Sequence, residues 1–208
     1  MRVTVDIVLF TLRPDGAATL EVLLVERGVP PYEGAWALPG GFVLADESLE
    51  TAARRELWEE TGVADVYLEQ LYSFGDPGRD PRGRVVTVAY YALVSPDRRP
   101  PEAGTDARSA RFWPVAALPE LAFDHAAILA YGLGRLRTKL EWTGVGFELL
   151  PPKFTLSELQ RLHEAILGRA LDKRNFRRWV AAREFVVPLK ESRRTGRKPA
   201  QLFRFRGR

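Results

Sequence analysis

Residues 41–63 read Gly41-Phe42-Val43-Leu44-Ala45-Asp46-Glu47-Ser48-Leu49-Glu50-Thr51-Ala52-Ala53-Arg54-Arg55-Glu56-Leu57-Trp58-Glu59-Glu60-Thr61-Gly62-Val63. From Ser48 to Thr61 this stretch has no glycine or proline, Ser48 offers a side-chain oxygen to free amides, and Gly62 stands where a left-handed residue ends a helix. It therefore predicts one helix over residues 48–61. Positions three and four apart share a helix face, so Glu56, Glu59 and Glu60 converge on one patch while Leu49, Ala53 and Leu57 can face a core. Three carboxylates at one spot repel each other unless cations sit among them. Hard carboxylate oxygens suit Mg²⁺ or Mn²⁺, ions that can bridge a diphosphate, neutralise its charge and acidify a bound water. Just upstream, Gly40 and Gly41 permit a close backbone approach that a side chain would block.

Outward from this helix the chain reads mainly as strands. Residues 1–12 and 19–26 are rich in Val, Leu and Ile and are joined by Pro14-Asp15-Gly16, which predicts a hairpin. Residues 27–41 form a loop punctuated by glycine and proline, in which Trp36-Ala37-Leu38 can make a short strand. Strands are predicted again over 66–74 and 84–94, with a Gly/Pro/Asp-rich tip from Gly75 to Gly83 between them, and a short one at Arg111–Trp113. Residues 124–138 read as a helix with Ile128, Leu129, Leu133 and Leu136 on one side, weakened by Gly132 and Gly134. Asp124-His125 at its start reads as an N-cap and a packing histidine. Paired strands with few helices predict an α+β sandwich.

Leu149-Leu150-Pro151-Pro152 marks a change of composition, dividing the chain into residues 1–150 and 151–208. The net charge of +4 hides a net of −7 before this point and +11 after it. The basic part is a candidate for a polyanion. It opens with Thr155-Leu156-Ser157-Glu158, a capping box, and Leu156, Leu159, Leu162 and Ile166 give the helix one apolar face before Gly168 stops it. Asp172 caps a second helix, and the apolar runs Phe185–Leu189 and Gln201–Phe205 flank a basic turn from Lys190 to Pro199. Helix, helix, hairpin is the order of a winged helix-turn-helix.

Composition narrows the chemistry further. With no cysteine and only His125 and His163, thiolate chemistry is excluded and any metal should be held by oxygen. No run approaches the roughly eighteen apolar residues of a spanning helix, and Met1 to Phe10 alternates like a strand, so the expected location is cytoplasmic, with no membrane partner.

Gly41, Glu47, Arg55, Glu56, Leu57, Glu59, Glu60, Gly62 and Val63 fit the pattern G-x5-E-x7-R-E-U-x-E-E-x-G-U, where U is apolar, without a departure. The pattern resembles the Nudix box of the Nudix hydrolases, and a chance match is on the order of 10⁻⁹ per starting position. The resemblance implies an α/β/α sandwich in which the Gly40 carbonyl, Glu56, Glu59 and Glu60 ligate Mg²⁺ (or Mn²⁺), while Arg55 and Glu47 orient the acidic cluster. It implies water attack on a nucleoside diphosphate linked to another group. The general base is either Glu56 or a loop residue, for which Glu102 and Asp106 are the candidates, with a solvated polar loop as the alternative reading of both. Pro30-Pro31-Tyr32-Glu33-Gly34-Ala35-Trp36-Ala37-Leu38-Pro39-Gly40-Gly41-Phe42-Val43 looks like the ADP-ribose branch of that family.

With the tail included, through Lys153-Phe154-Thr155-Leu156-Ser157-Glu158-Leu159-Gln160 and Leu171-Asp172-Lys173-Arg174-Asn175-Phe176-Arg177, the chain resembles the Nudix-related transcriptional regulators of NAD metabolism, the NrtR type. That resemblance implies a homodimeric repressor that binds ADP-ribose or a related NAD metabolite and grips a palindromic double-stranded DNA operator. On the second tail helix Phe176, Trp179 and Val180 share a face and should pack down. Arg174 and Arg178 lie opposite, with Lys173 and Arg177 on a flank, and could enter a major groove. Lys190, Arg193, Arg194, Arg197 and Lys198 of the wing would meet phosphates. An intact box adds hydrolysis of ADP-ribose to AMP and ribose 5-phosphate as an expectation. The alternative is an ADP-ribose pyrophosphatase whose basic tail serves dimerisation or nonspecific binding.

Overall fold

The computed structural model describes residues 1–13, 18–97, 107–194 and 199–207. The chain forms two compact units, one of Met1–Thr11, Glu21–Val94 and Arg98–Arg135, the other of Leu12–Leu20, Ser95–Asp97 and Leu136–Arg208. Strands β1 (Arg2–Arg13), β2 (Thr19–Arg27), β3 (Trp36–Ala37), β4 (Gly40–Phe42), β5 (Tyr67–Phe74), β6 (Val85–Leu93) and β7 (Ala107–Pro114) make a seven-stranded sheet of order β3-β2-β1-β6-β5, with β4 on β1 and β7 on β2. β1 runs parallel to β6 and antiparallel to β4.

Alternation along β1 builds the two layers around this sheet. Val5, Ile7 and Leu9 join Ala52, Ala53 and Leu57 of helix α1 (Leu49–Thr61) in one buried cluster. Val8 points the other way, to helix α2 (His125–Trp142). A Cβ built on Gly132 of α2 would lie 3.3 Å from Leu71 and 3.4 Å from Val8, so the residue that weakens α2 in isolation is where the helix comes closest to the sheet. The α/β/α sandwich is thus present. α1 is capped as its sequence predicts, with Ser48 Oγ accepting from the Thr51 amide and Gly62 at φ 68°.

Three local expectations need correction. The glycine-rich Gly40–Phe42, read as loop, is a strand, because its antiparallel pairing with Thr4–Asp6 supplies the order that its own residues do not. The strand expected at Arg111–Trp113 extends over Ala107–Pro114 along β2. In the second unit, Lys190–Arg194 belong to strand β8 (Val186–Arg194), paired with β9 (Pro199–Phe205), and not to a turn. Charged side chains are no obstacle there, since this end of the two-stranded ribbon is exposed to water. The Pro14–Gly16 turn, Glu102, Asp106, Arg197 and Lys198 lie outside the described residues.

The second unit is built on helices α3 (Leu156–Leu167) and α4 (Lys173–Arg183) and the β8–β9 ribbon. The expected capping box forms, Thr155 Oγ1 accepting from the Glu158 amide at 3.2 Å and Glu158 from the Thr155 amide at 2.6 Å. Asp172 caps α4 through the Asn175 amide. Phe154 exchanges two backbone hydrogen bonds with Phe203, tying the start of α3 to the ribbon. Leu159, Leu162, Ile166, Phe176, Val180 and Leu202 close the core.

His163 sits among these residues with its ring edge against Phe176 and Trp179. Its Nδ1–H donates to the Leu159 carbonyl, and Nε2 has no partner among the described residues. Burial lowers its pKa to about 4. The unfolded chain takes up this proton near pH 6.5 and the folded one only near 4, so stability is full above 6.5 and falls as pH drops through that window. The loss should approach about 3 kcal/mol by pH 4. Urea midpoints of the full chain from pH 7.5 to 4 would show it, and His163→Leu should flatten the profile. An unchanged slope in that variant would disprove the assignment.

Candidate functional site

Burial of Ala52, Ala53 and Leu57 against the sheet sets the rotation of α1, and that rotation presents Glu56 and Glu60 to a cleft of about 350 Å³. Glu60 is held by its own target loop, the Gly40 amide donating to its Oε2 at 2.9 Å. Burial pushes the Glu60 carboxyl up to about 8; the Gly40 hydrogen bond opposes the rise, while nearby Glu56 and Asp6 add to it. Burial also raises Glu56, against the pull of Arg55. A Cβ on Gly41 would meet Glu56 Oε1 at 2.3 Å, so the glycine is the space in which that carboxylate lies.

Arg55 stands at the centre of the remaining acids. It donates to Glu47 at 2.6 and 2.9 Å, to Glu56 at 2.8 Å, to Glu59 at 3.0 Å and to the Phe42 carbonyl at 3.2 Å. The Arg55 hydrogen bonds to Glu47, with one from the Leu44 amide, lower Glu47 to about 2. Glu59 is 47% exposed and lies off the cleft wall on the Arg55 guanidinium, so of Glu56, Glu59 and Glu60 the helix brings two into the cleft and leaves Glu59 outside it.

The opposite wall comes from residues that carry no spacing signal. Arg27, Arg79, Asp80, Arg82, Phe123, Asp6 and His125 all line the cleft. Arg27 lies 4.8 Å from the centre of the Phe123 ring and Arg82 5.5 Å, while Arg82 also covers Phe42 at 5.1 Å. Burial and the neighbouring Arg82 charge both lower the Arg27 pKa. Asp124 gives its carboxylate to Arg79 at 2.7 and 2.9 Å. Two signals in the sequence could have exposed this wall. Asp6 is an acid inside an apolar strand, and Asp76–Arg84 holds five charged residues within what reads as a plain loop.

Among the described residues no three acidic or imidazole side chains gather closely enough to hold a metal ion, and the cleft itself offers two carboxylates, Glu56 and Glu60. Both carry hard oxygen atoms whose ionisation is opposed by burial, and at Glu60 also by the neighbouring Glu56, costs that a cation beside them would relieve. With guanidinium groups facing carboxylates, the cleft suits a ligand that is anionic on one side and metal-bridged on the other.

In the second unit, Phe176 and Val180 of α4 are buried, and Lys173, Arg174, Arg177 and Arg178 are exposed. Arg178 also bonds Asn175 at 3.1 Å. On the ribbon Arg194 is exposed, whereas Arg193 is engaged within the unit, donating to Glu158 at 3.0 Å and to the Lys153 carbonyl at 2.9 Å. No helix is long and apolar enough to cross a membrane among the described residues.

Two family descriptions match the chain: the NUDIX domain over residues 1–131, and the NrtR DNA-binding winged helix domain over residues 146–205. The chain is similar to the ADPR responsive transcriptional repressor NtrR of Acinetobacter baylyi, with 40% identity over 205 residues, 97% of this chain and 81% of that protein. Among solved structures, Shewanella oneidensis NrtR complexed with a 27mer DNA superposes with a TM-score of 0.81 and 38% identity, over 98% of this chain and 93% of that one. The NUDIX domain of Shewanella oneidensis NrtR complexed with ADP ribose superposes with a TM-score of 0.59 and 40% identity, over 65% of this chain and 88% of that one. With both domains matched in order and a relative similar over nearly the whole chain, this protein belongs to the NrtR family, in which a Nudix domain is joined to a DNA-binding winged helix.

Proposed function

We propose that the protein is a cytoplasmic, homodimeric transcriptional repressor of the NAD-metabolism type. Its cleft binds ADP-ribose or a related metabolite, and its winged helices hold a palindromic operator. The division at residues 150 and 151 then separates a ligand domain from a DNA-binding one. The observation that carries the reading is one chain holding both a cleft in which Glu56 and Glu60 face Arg27 and Arg82, and a helix α4 with four exposed cationic residues.

We infer further that the domain retains pyrophosphohydrolase competence. The Gly40 carbonyl, Glu56, Glu59 and Glu60 are the proposed oxygen donors for Mg²⁺ or Mn²⁺, with Glu59 joining only by leaving Arg55. Bound there, the cation would offset diphosphate charge and acidify a water. Arg27 and Arg82 hold the diphosphate, and Arg55 with Glu47 keeps Glu56 in place. Water attacks phosphorus, the bridging P–O bond breaks, and AMP and ribose 5-phosphate leave. Glu56 is the proposed acceptor of the water's proton among the described residues, and Glu102 and Asp106 are the loop alternatives. The unbroken acidic motif also supports a second reading, a pyrophosphatase with a nonspecific basic tail.

Fluorescence anisotropy with a duplex from the gene's own upstream region, against a scrambled duplex and with or without ADP-ribose, separates these readings. A repressor should prefer its operator by on the order of 10³-fold or more, and ADP-ribose should shift that affinity. Equal binding to both duplexes would leave only a polyanion patch. In the same assay Arg194→Ala should lower the salt slope by about one. Arg193→Ala should weaken binding without changing the slope, since its guanidinium is spent on Glu158 and the Lys153 carbonyl.

A further inference from the structure

We infer that His125 is a positioning residue for the cleft, its neutral imidazole holding the Leu38 amide and so setting the backbone that carries Gly40 and Gly41. The inference rests on the ADP-ribose reading given above. Leu38, Pro39 and Gly40 are pinned at three successive points: the Leu38 amide donates to His125 Nδ1 at 2.9 Å, the Pro39 carbonyl accepts from the Ile7 amide at 2.8 Å, and the Gly40 amide donates to Glu60 at 2.9 Å. The first contact decides the tautomer. An amide can only donate, so Nδ1 carries no proton and the ring hydrogen sits on Nε2, which faces Asp6 Oδ1 at 3.5 Å.

The ring is oriented by a buried chain of charges. Asp6 accepts from Arg79 at 3.2 Å, and Arg79 is gripped by both oxygens of Asp124, the residue that precedes His125. Asp6, Arg79 and His125 are 6%, 8% and 4% exposed, so the links of Asp6 to Arg79 and to His125 are shielded from water. Arg79 thus ties the start of α2 to β1, and with α2 placed, His125 reaches the Leu38 amide. Without that acceptor the amide becomes an unpaired donor in a packed interior, and the segment must shift to find another. Any such shift moves Gly40, the partner of Glu60, and Gly41, whose missing side chain makes room for Glu56. His125 therefore acts on the ligand through the backbone that carries Gly40 and Gly41.

The test uses the full-length protein and two substitutions that differ by one methylene. In His125→Asn the amide oxygen takes the place of Nδ1 and can still accept from Leu38; in His125→Gln the amide group reaches the Nε2 position and cannot. ADP-ribose binding by titration calorimetry in the presence of Mg²⁺ should weaken by about tenfold or more in His125→Gln. It should stay near wild type in His125→Asn. Hydrogen exchange at the Leu38 amide should be faster in His125→Gln alone. A packing role would lower the melting temperature of both variants and move binding in neither, or in both alike. Wild-type affinity in His125→Gln, or equal weakness in both variants, overturns the inference. If the wild-type protein does not bind ADP-ribose, the functional reading fails, and Leu38 exchange decides the brace on its own: equal rates in the two variants refute it.

Discussion

Glu56→Gln should lower ADP-ribose hydrolysis by at least about 10²-fold while leaving operator binding at its wild-type level. The substitution keeps the side chain's shape and its contact with Arg55, but removes the charge that the proposed metal site needs and the basic oxygen that takes the water's proton. Arg55 would then hold two carboxylates, Glu47 and Glu59, so the helix should remain folded. The measurement is AMP release with Mg²⁺ present, run beside anisotropy on the operator duplex. Turnover equal to wild type would remove Glu56 from the chemistry and transfer the role of base to Glu102 or Asp106. Turnover absent from the wild-type protein itself would leave a sensor that binds ligand without cleaving it.

Gly40→Ala should destabilise the protein by about 3 to 5 kcal/mol, a large effect for a single methyl group. Gly40 has φ 155°, and a Cβ there would lie 2.1 Å from the Val5 carbonyl oxygen and 2.9 Å from Asp6 Oδ1. Val5 is a fully buried residue in the middle of the sheet, so its carbonyl cannot retreat without breaking pairing. Gly41→Ala is the informative contrast. There the obstacle is the end of the Glu56 side chain, which can swing away, so the variant should fold with a urea midpoint close to wild type yet lose hydrolysis. Equal stability loss in the two variants would show that both glycines serve the backbone alone.

The pair illustrates what was legible in the sequence. That Gly40 and Gly41 allow close approach follows from their lacking a side chain, but which neighbour approaches each one belongs to the register of β4 on β1 and to the rotation of α1. The glutamates were legible because residues three and four apart on a helix must share a face, whatever surrounds the helix. Even so, the outward position of Glu59 was not, since it depends on Arg55 reaching four residues along and back to Glu47.

The same division holds in the tail. The capping box and the Asp172 cap follow from local pattern and are present, and of the expected stripe of α4 Phe176 and Val180 are buried while Trp179 is only partly covered. Arg193 read as a phosphate contact because basic residues in a wing face solvent by default. Its engagement with Glu158 depends on the ribbon packing beside the start of α3 through Phe154 and Phe203, a pairing of residues 49 apart that no local rule encodes.

By itself, then, the sequence determined the acidic helix, its caps, the paired strands, the order of the tail elements and the single helix face that Glu56, Glu59 and Glu60 share. Only the tertiary structure decided the other wall of the cleft, where Asp6, Arg27, Arg79, Arg82, Phe123 and His125 meet from β1, β2, the 75–84 loop and the start of α2. The physical reason is range. Capping, periodicity and turn chemistry act over a few residues and leave a trace in spacing, whereas a buried charge is placed by whichever partners the sheet brings to it. For Asp6 that partner is 73 residues away at Arg79.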